Sequence, residues 1–217
     1  MKLIQLNKMS EAVDDLQPSF ERLPKTNHAD AEFRLRRYSR VELRTTFWNA
    51  KTEVEIERLP TKTFIQSEKW NKHQGGALRD FEEIESSVLE NKAFKEAILT
   101  FKNTFDLVDG EEVEIHQLRV ITKYDTTHVA PEGVHQDGYN CIGMFGVNRH
   151  NIKGGELLVY ELENKATPFV QYVIGAGDLW MQNDSKYWHN ATPIVAVDDS
   201  QMGYWDAFVF CADKTKK

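Results

Sequence analysis

Cysteine and long apolar runs are scarce in this chain. Only Cys141 and Cys211 occur among its 217 residues, which is too few for a disulfide scaffold and suits a reducing cytosol. No apolar stretch approaches the roughly 18–20 residues that cross a membrane, and the N-terminus lacks a signal-peptide pattern. We therefore expect a cytoplasmic protein that has no membrane partner.

An excess of positive charge is also missing, as are internal repeats and low-complexity tracts. The formal net charge of -7 at pH 7 argues against non-specific binding of nucleic acid. Hydrophobic residues make up 41% of the chain, so a packed globule is expected rather than disorder. Because no boundary is visible, residues 1–217 are expected to form a single domain.

Hydrophobic spacing divides the first half of the chain into two regions. Residues 1–30 are interpreted as an N-terminal extension. Residues 31–110 are interpreted as a support region of mixed and helical structure, in which 33–43 alternates as a strand does and 79–105 follows the helical period. The helical stretch forms either one long helix or two helices broken near Asn91.

Residues 111–217 have the pattern of a strand-rich core. Short alternating segments are separated by turns rich in Pro, Gly, Asn and Asp. The predicted strands are 113–124, 139–147, 156–162, 169–174, 178–182 and 204–212. This order predicts a mainly β fold of the α+β class, with helices packed on the outside of a β-sandwich or barrel.

The candidate metal ligands are His135, Asp137 and the distant His189. Strand side chains two residues apart project to the same side, so the first two residues can bind one ion together. Two histidines and one carboxylate leave open positions on the metal, as in non-haem Fe(II) oxygenases. Gly154-Gly155-Glu156 and Gly177-Asp178 lie between the motif and His189, which is the order of motifs in a double-stranded β-helix (jelly-roll, cupin-like) oxygenase.

Other interpretations of these residues remain open. His135 could be a buried structural histidine, and Asp137 could be a turn residue. His128, in the loop before the motif, is the best substitute ligand. His116 is expected to point away from the site, because it lies on the opposite face of its strand from Arg119.

Several further segments share a pattern with one known family. They are 36–40 (Arg-Arg-Tyr-Ser-Arg), Gly75-Gly76 with Arg79 and Phe81, 116–119 (His-Gln-Leu-Arg), 131–138 (Pro-Glu-Gly-Val-His-Gln-Asp-Gly), 147–149, 154–156 and 188–194 (Trp-His-Asn-Ala-Thr-Pro-Ile). On these residues the chain, from about residue 31 to its end, resembles the iron- and 2-oxoglutarate-dependent dioxygenases that include bacterial L-isoleucine hydroxylase and other hydroxylases of free amino acids.

The resemblance implies a jelly-roll core and a complete set of reaction components. His135, Asp137 and His189 would hold Fe(II), 2-oxoglutarate would be the co-substrate, and O2 would be the oxidant. Succinate and CO2 would be released with each hydroxylation. The substrate would be a small molecule, a free amino acid or a derivative of one.

One position departs from the family pattern. The family usually has an arginine in the last strand that binds the far carboxylate of 2-oxoglutarate, but here Trp205 stands at that place. An indole offers one donor and no charge. We expect Arg119 to take over this role, and the co-substrate-binding candidates are Arg119, Gln117 on the same strand face, and Trp205. Arg149 and Lys153 rank lower because they are expected to lie in a loop. An ordinary surface contact or a contact with the substrate carboxylate is the alternative for Arg119.

The substrate-binding candidates are Arg36, Arg40, Arg79 and Tyr139. A guanidinium can bind a substrate carboxylate in a two-pronged fork, although a solvated basic face is the alternative for the arginines of the first strand. Tyr139, Phe145 and Trp205 are expected to shape the substrate pocket.

Two other functions are compatible with the sequence. One is an iron oxygenase that does not use 2-oxoglutarate, in which Trp205 fills the vacated pocket. The other is a non-catalytic jelly-roll that binds a metal or a small molecule. The sequence does not indicate an oligomeric state.

Overall fold

The computed structural model describes residues 2–26, 28–29, 32–48, 50–71 and 73–213. The strands are β1 (Ile4–Lys8), β2 (Arg34–Trp48), β3 (Lys51–Arg58), β4 (Glu112–Thr122), β5 (Cys141–His150), β6 (Ile152–Gly154), β7 (Leu157–Glu161), β8 (Val170–Tyr172), β9 (Asp178–Gln182), β10 (Tyr187–Ala191), β11 (Ile194–Ala196) and β12 (Gly203–Ala212). The helices are α1 (Gln17–Glu21), α2 (Ser86–Leu89) and α3 (Lys92–Thr104), with 3-10 segments at Asp14–Leu16 and Asp184–Lys186. Within these ranges, no helix is both long and apolar enough to pass through a bilayer.

Two main sheets form the jelly-roll. The larger one has the order β1-β9-β5-β12-β4-β2-β3, and the smaller one has the order β10-β7-β8. Neighbouring strands in both sheets are antiparallel, and a short pair of β11 and β6 lies beside them. The predicted mainly β fold of jelly-roll type is confirmed.

The two faces of the large sheet have different partners. On β12, Phe208 and Phe210 face α3, where their ring centroids lie 5.0 and 5.7 Å from that of Phe94. Trp205 and Val209 alternate with them and line a cavity on the opposite face. The helix therefore closes an aromatic core on the outer face, as predicted, and leaves the inner face for a site.

The strands at the two edges of the large sheet, β1 and β3, are not predicted from the sequence. Only Val54 is buried among the residues of β3, but Thr52, Val54 and Ile56 alternate with three Glu residues. Such alternation is typical of a half-buried strand, so β3 could have been predicted from the sequence. The sheet thus begins before residue 111, earlier than the predicted start of the core.

Residues 79–85 were expected to be helical but are extended. Arg79 and Phe64 exchange backbone hydrogen bonds of 3.0 and 2.9 Å, and the carbonyl of Glu82 accepts from the amide of Tyr38 at 3.0 Å. The apolar residues of this segment follow the helical period by coincidence, because pairing with other extended segments satisfies its backbone instead.

The helical region is divided at Asn91, one of the two predicted alternatives. The side chain of Asn91 accepts hydrogen bonds from the amides of Ala93 at 2.9 Å and Phe94 at 3.2 Å, so it caps α3. These amides belong to the first turn of a helix, where backbone donors have no partner inside the helix.

We expect Asn91→Ala to lower the free energy of unfolding by about 1 kcal/mol, because it removes the acceptor for both amides. Chemical denaturation monitored by circular dichroism would measure the change. Asn91→Asp is the matched control, since it keeps an acceptor oxygen and should unfold close to the wild-type midpoint. An unchanged midpoint for Asn91→Ala would contradict the role of this cap.

Candidate metal centre

The predicted ligands His135, Asp137 and His189 converge. One potential ligand atom from each residue lies within 4.8 Å of the others. The carboxylate of Asp137 lies between the two rings, with Oδ1 3.5 Å from Nε2 of His135 and Oδ2 3.5 Å from Nε2 of His189. Two imidazoles and one carboxylate therefore face a common point at the wall of the cavity.

A reciprocal backbone bridge joins the two histidines. The amide of His135 donates to the carbonyl of His189, and the amide of His189 donates to the carbonyl of His135, both at 2.9 Å. Residues that exchange both hydrogen bonds in an antiparallel pair present their side chains on the same face. The ring centroids consequently lie 4.3 Å apart, although 54 positions separate the residues in the sequence.

The turn after the motif has space only for glycine. Gly138 has a φ of +96°, and a Cβ atom there would lie 2.4 Å from Cδ1 of Trp70. Its amide donates a 2.9 Å hydrogen bond to Oδ2 of Asp184. The chain therefore turns away immediately after Asp137 and leaves that carboxylate facing the histidines.

An oxygen atom lies beside the second nitrogen of each ring. Nδ1 of His135 lies 2.8 Å from the carbonyl of Gly133, and Nδ1 of His189 lies 3.4 Å from Oδ1 of Asp184. Asp184 is fully buried. Such partners on the second nitrogen hold Nε2 of a histidine towards a metal, and Asp184 is a candidate for this role that the sequence analysis missed.

The carboxylate of Asp137 and the ring of His135 stabilise each other's charged forms. Burial alone would raise the pKa of Asp137, but the hydrogen bond from His135 and the charge of His189 outweigh it and hold that pKa far below its usual range. Burial opposes protonation of His135, but Asp137 raises the pKa of its ring to about 9. A divalent cation bound by the two imidazoles would take the place of their protons as the partner of the Asp137 carboxylate. The donor set therefore fits a metal ion.

The cavity beside the metal ligands has a volume of about 140 Å³. Arg34, Arg36 and Arg79 line one part of it. Apolar side chains line another part: Leu118, Val120, Met144, Leu157, Ile174 and Trp205. The space can therefore take a ligand that carries both negative charge and hydrocarbon.

Three of the four predicted substrate-binding residues line the cavity, namely Arg36, Arg79 and Tyr139. Arg40 does not, so the prediction for it is wrong. Its guanidinium forms a two-pronged pair with Glu112, with both N–O distances 2.5 Å. Arg34 and Arg36 line the cavity from the same face of β2, but the strand extends beyond the cavity before it reaches Arg40.

The predicted co-substrate residues Arg119 and Gln117 lie on the wrong face of β4. Arg119 donates to the two carboxylate oxygens of Asp206 at 2.6 and 2.8 Å, and Gln117 donates to the hydroxyl of Ser19 at 2.7 Å. The cavity receives the alternate side chains of the strand, including Leu118. The third member of that prediction, Trp205, does line the cavity. Phe145 does not, because it packs in the core on the opposite face of the sheet, stacked on Phe208.

The same alternation corrects the expectation for the rival histidines. His116 faces the cavity, with its ring centroid 4.9 Å from that of Tyr38 and 4.8 Å from that of Phe64. Burial lowers the pKa of His116 well below its usual value. His128 is exposed and is not one of the clustered ligands, so it does not replace His135 or His189.

The sequence model of the 2OG-Fe dioxygenase family matches residues 17–211. The chain therefore belongs to the 2OG-Fe dioxygenase family. Membership implies an oxidoreductase that uses Fe(II), 2-oxoglutarate and O2. Neither the iron oxygenase without 2-oxoglutarate nor the non-catalytic binder is retained.

Solved structures show the same fold at low sequence identity. A BsmA homologue from Methylobium petroleophilum aligns with a TM-score of 0.75 at 20% identity, over 93% of this chain and 80% of its own. IDO from Bacillus thuringiensis gives 0.69 at 15% identity, over 94% and 82%. The Fe(II)/α-ketoglutarate-dependent dioxygenase TqaL gives 0.69 at 16% identity, over 99% and 83%. No match is found among curated proteins.

We expect Asp184→Ala to weaken binding of Fe(II), or of Co(II) as a stable substitute, by about 10- to 100-fold, because His189 loses the partner that orients it. Calorimetric titration with Co(II) would measure the affinity. Asp184→Asn is the matched control, because its amide oxygen can still accept from the ring and should recover much of the affinity. Equal affinities for wild type and Asp184→Ala would show that Asp184 does not position His189.

Proposed function

We propose that this enzyme hydroxylates a small amino-acid-like substrate beside an iron ion held by His135, Asp137 and His189. The observation that carries the proposal is the placement of these three side chains on a cavity that also contains arginines and a carboxylate. Iron bound there would supply the oxidation of a substrate C–H bond by O2, coupled to conversion of 2-oxoglutarate to succinate and CO2.

The arginines support a substrate with a carboxylate. Arg79 is only 3% exposed and Arg36 lies on the neighbouring wall. Both carry a charge that burial cannot remove, because the guanidinium stays protonated in proteins. A carboxylate placed between them would gain charge-assisted hydrogen bonds in a site partly shielded from water.

A carboxylate on the same cavity supports a zwitterion over a simple acid. Oε1 of Glu132 lies 3.5 Å from Nε2 of His135, and its side chain is 12% exposed. When a metal occupies that nitrogen, Glu132 is left to interact with the substrate. An ammonium group near Glu132 and a carboxylate near Arg36 would give a free amino acid two oriented contacts.

The remaining walls would hold the substrate and exclude water. The Tyr139 hydroxyl donates to Oε2 of Glu114 at 2.8 Å, so its ring is fixed at the edge of the cavity. Aliphatic side chains such as Leu157 and Ile174 contribute apolar surface. Near-attack placement against these walls would select the carbon that reacts.

Two broader expectations stay with this proposal. We propose that 1–217 works as one catalytic domain, supported by strands from both ends of the chain in one sheet. We also propose a cytoplasmic location, supported by the low cysteine content.

The direct test is a screen of the free amino acids with Fe(II), 2-oxoglutarate and O2, with succinate release as the measurement. We expect at least one aliphatic amino acid to raise succinate release well above the rate without substrate. The matching carboxylic acid without the amino group is the control and should give little stimulation. Stimulation by non-zwitterionic compounds alone would refute the amino-acid assignment while leaving the oxygenase activity intact.

A matched pair of arginine variants tests the carboxylate contact. Arg36→Gln should raise the KM for the amino acid by about 10- to 100-fold, because a charge-assisted hydrogen bond is lost. Arg40→Gln, on the same face of the same strand but paired with Glu112 outside the cavity, should leave KM close to wild type. Equal KM values for the two variants would remove Arg36 from the substrate site.

A further inference from the structure

Trp205 lies in a row that crosses the large sheet at one level. Val120 on β4 is opposite both Arg34 on β2 and Trp205 on β12, and Trp205 is in turn opposite Arg149 on β5. Residues that lie opposite one another in a sheet project to the same face. Arg149 therefore belongs to the strand beside Trp205, rather than to the loop in which it was expected.

Among the residues that the structure describes, two donors on the adjacent strands β12 and β5 of this row are buried without a hydrogen-bond partner. They are Nε1 of Trp205 and Nη1 of Arg149. The neighbouring Nη2 of Arg149 donates to the carbonyl of Gly154, so the guanidinium is held in place while Nη1 remains available. Buried donors are nearly always satisfied in folded proteins, and a pair of unsatisfied ones in adjacent strands indicates a missing acceptor.

Gly155 lies between the guanidinium and the cavity. It lines the cavity, and a Cβ atom on it would lie 2.8 Å from Cγ2 of Ile194, 3.3 Å from Nη1 of Arg149 and 3.6 Å from Nη2 of Arg149. Its φ of +70° also favours glycine at this position. Glycine therefore places no side chain between the guanidinium and the cavity.

The charge of Arg149 is only weakly balanced by the protein. Burial lowers the pKa of Arg149, against the opposing charge of Glu156. The carboxylate of Glu156 accepts a hydrogen bond from the hydroxyl of Thr192. Within the part of the chain that the structure describes, no carboxylate forms an ion pair with Arg149. An anionic ligand would supply both the missing charge and the missing acceptor.

We infer that Arg149, assisted by the indole N–H of Trp205, binds the distal carboxylate of 2-oxoglutarate. The family implies this co-substrate, and a dicarboxylate whose 2-oxo acid end lies at the metal needs a cation for its other end. Arg149 provides that cation from the strand beside Trp205. The inference rests on the proposed metal ligands but not on the proposed amino-acid substrate.

Arg34 is the rival cation at the same level of the sheet. It lines the cavity, but β4 separates it from Trp205, and it donates to the carbonyl of Val129. Arg149 instead lies directly beside Trp205, so the two donors without partners can serve the same carboxylate.

The test compares two 2-oxo acids on the Co(II)-loaded protein by calorimetry. The compounds are 2-oxoglutarate and 2-oxopentanoate, which has the same chain length but no distal carboxylate. Wild type should prefer 2-oxoglutarate. Arg149→Gln should weaken binding of 2-oxoglutarate by about 10- to 100-fold and leave 2-oxopentanoate unchanged, because only the distal contact is lost. Trp205→Phe should reduce the preference by a smaller factor of about 2 to 10, since it loses one neutral donor.

Further variants separate a local contact from general damage. Arg149→Lys should retain part of the preference, and Arg149→Gln combined with Trp205→Arg should restore it by placing a guanidinium on the neighbouring strand. Arg34→Gln should keep the wild-type ratio of affinities. Co(II) affinity should match wild type in every variant, which would show that the metal ligands remain in place.

Each other outcome would overturn the inference in a distinct way. A wild-type ratio in Arg149→Gln, or loss of the preference in Arg34→Gln, would place the anchor elsewhere. Equal affinity of wild type for both 2-oxo acids would show that no distal anchor exists. Failure of wild type to bind either compound would refute the proposed metal centre, and the inference with it, whereas the amino-acid proposal is tested separately by succinate release.

Discussion

The site depends on the reciprocal backbone bridge between His135 and His189. Those two hydrogen bonds of 2.9 Å join the motif segment to β10, and β10 in turn pairs with β7 in the small sheet. Because both partners are backbone groups, the register between the segments determines the distance between the rings and does not depend on side-chain choice. A shift of one residue in this register would turn one imidazole away from Asp137.

The sequence predicts the features that depend on local spacing. The spacing of two residues predicts that His135 and Asp137 lie on one side of the chain, although only an isolated bridge at His135, rather than a strand, holds this segment. The run of short strands predicts the jelly-roll. The errors concern which face of a strand meets the cavity. Periodicity shows that Arg119 and His116 lie on opposite faces of β4, but it cannot tell which face is inside when both faces of a central strand are buried.

Residues that act through long-range contacts gave no signal in the sequence. Asp184 lies outside any motif, and its role follows from the meeting of its side chain with His189 and the amide of Gly138. Arg149 was misplaced because the glycines after it suggest a turn, although β5 continues to His150. In both cases the information is held in the pairing of distant strands, which a single sequence does not display.

Trp205 in place of the usual arginine is compatible with binding of 2-oxoglutarate, because a residue on a neighbouring strand of the sheet can supply the guanidinium. Side chains directly opposite each other in an antiparallel pair have Cβ atoms about 4.5–5.5 Å apart, which is less than the length of an extended arginine. A guanidinium on β5 can therefore reach the space beside position 205 when a glycine such as Gly155 leaves room for it. The indole then contributes apolar wall and one donor, while the charge comes from the adjacent strand. On this physical basis the loss of the usual cation changes the position of the anchor without requiring a change of co-substrate.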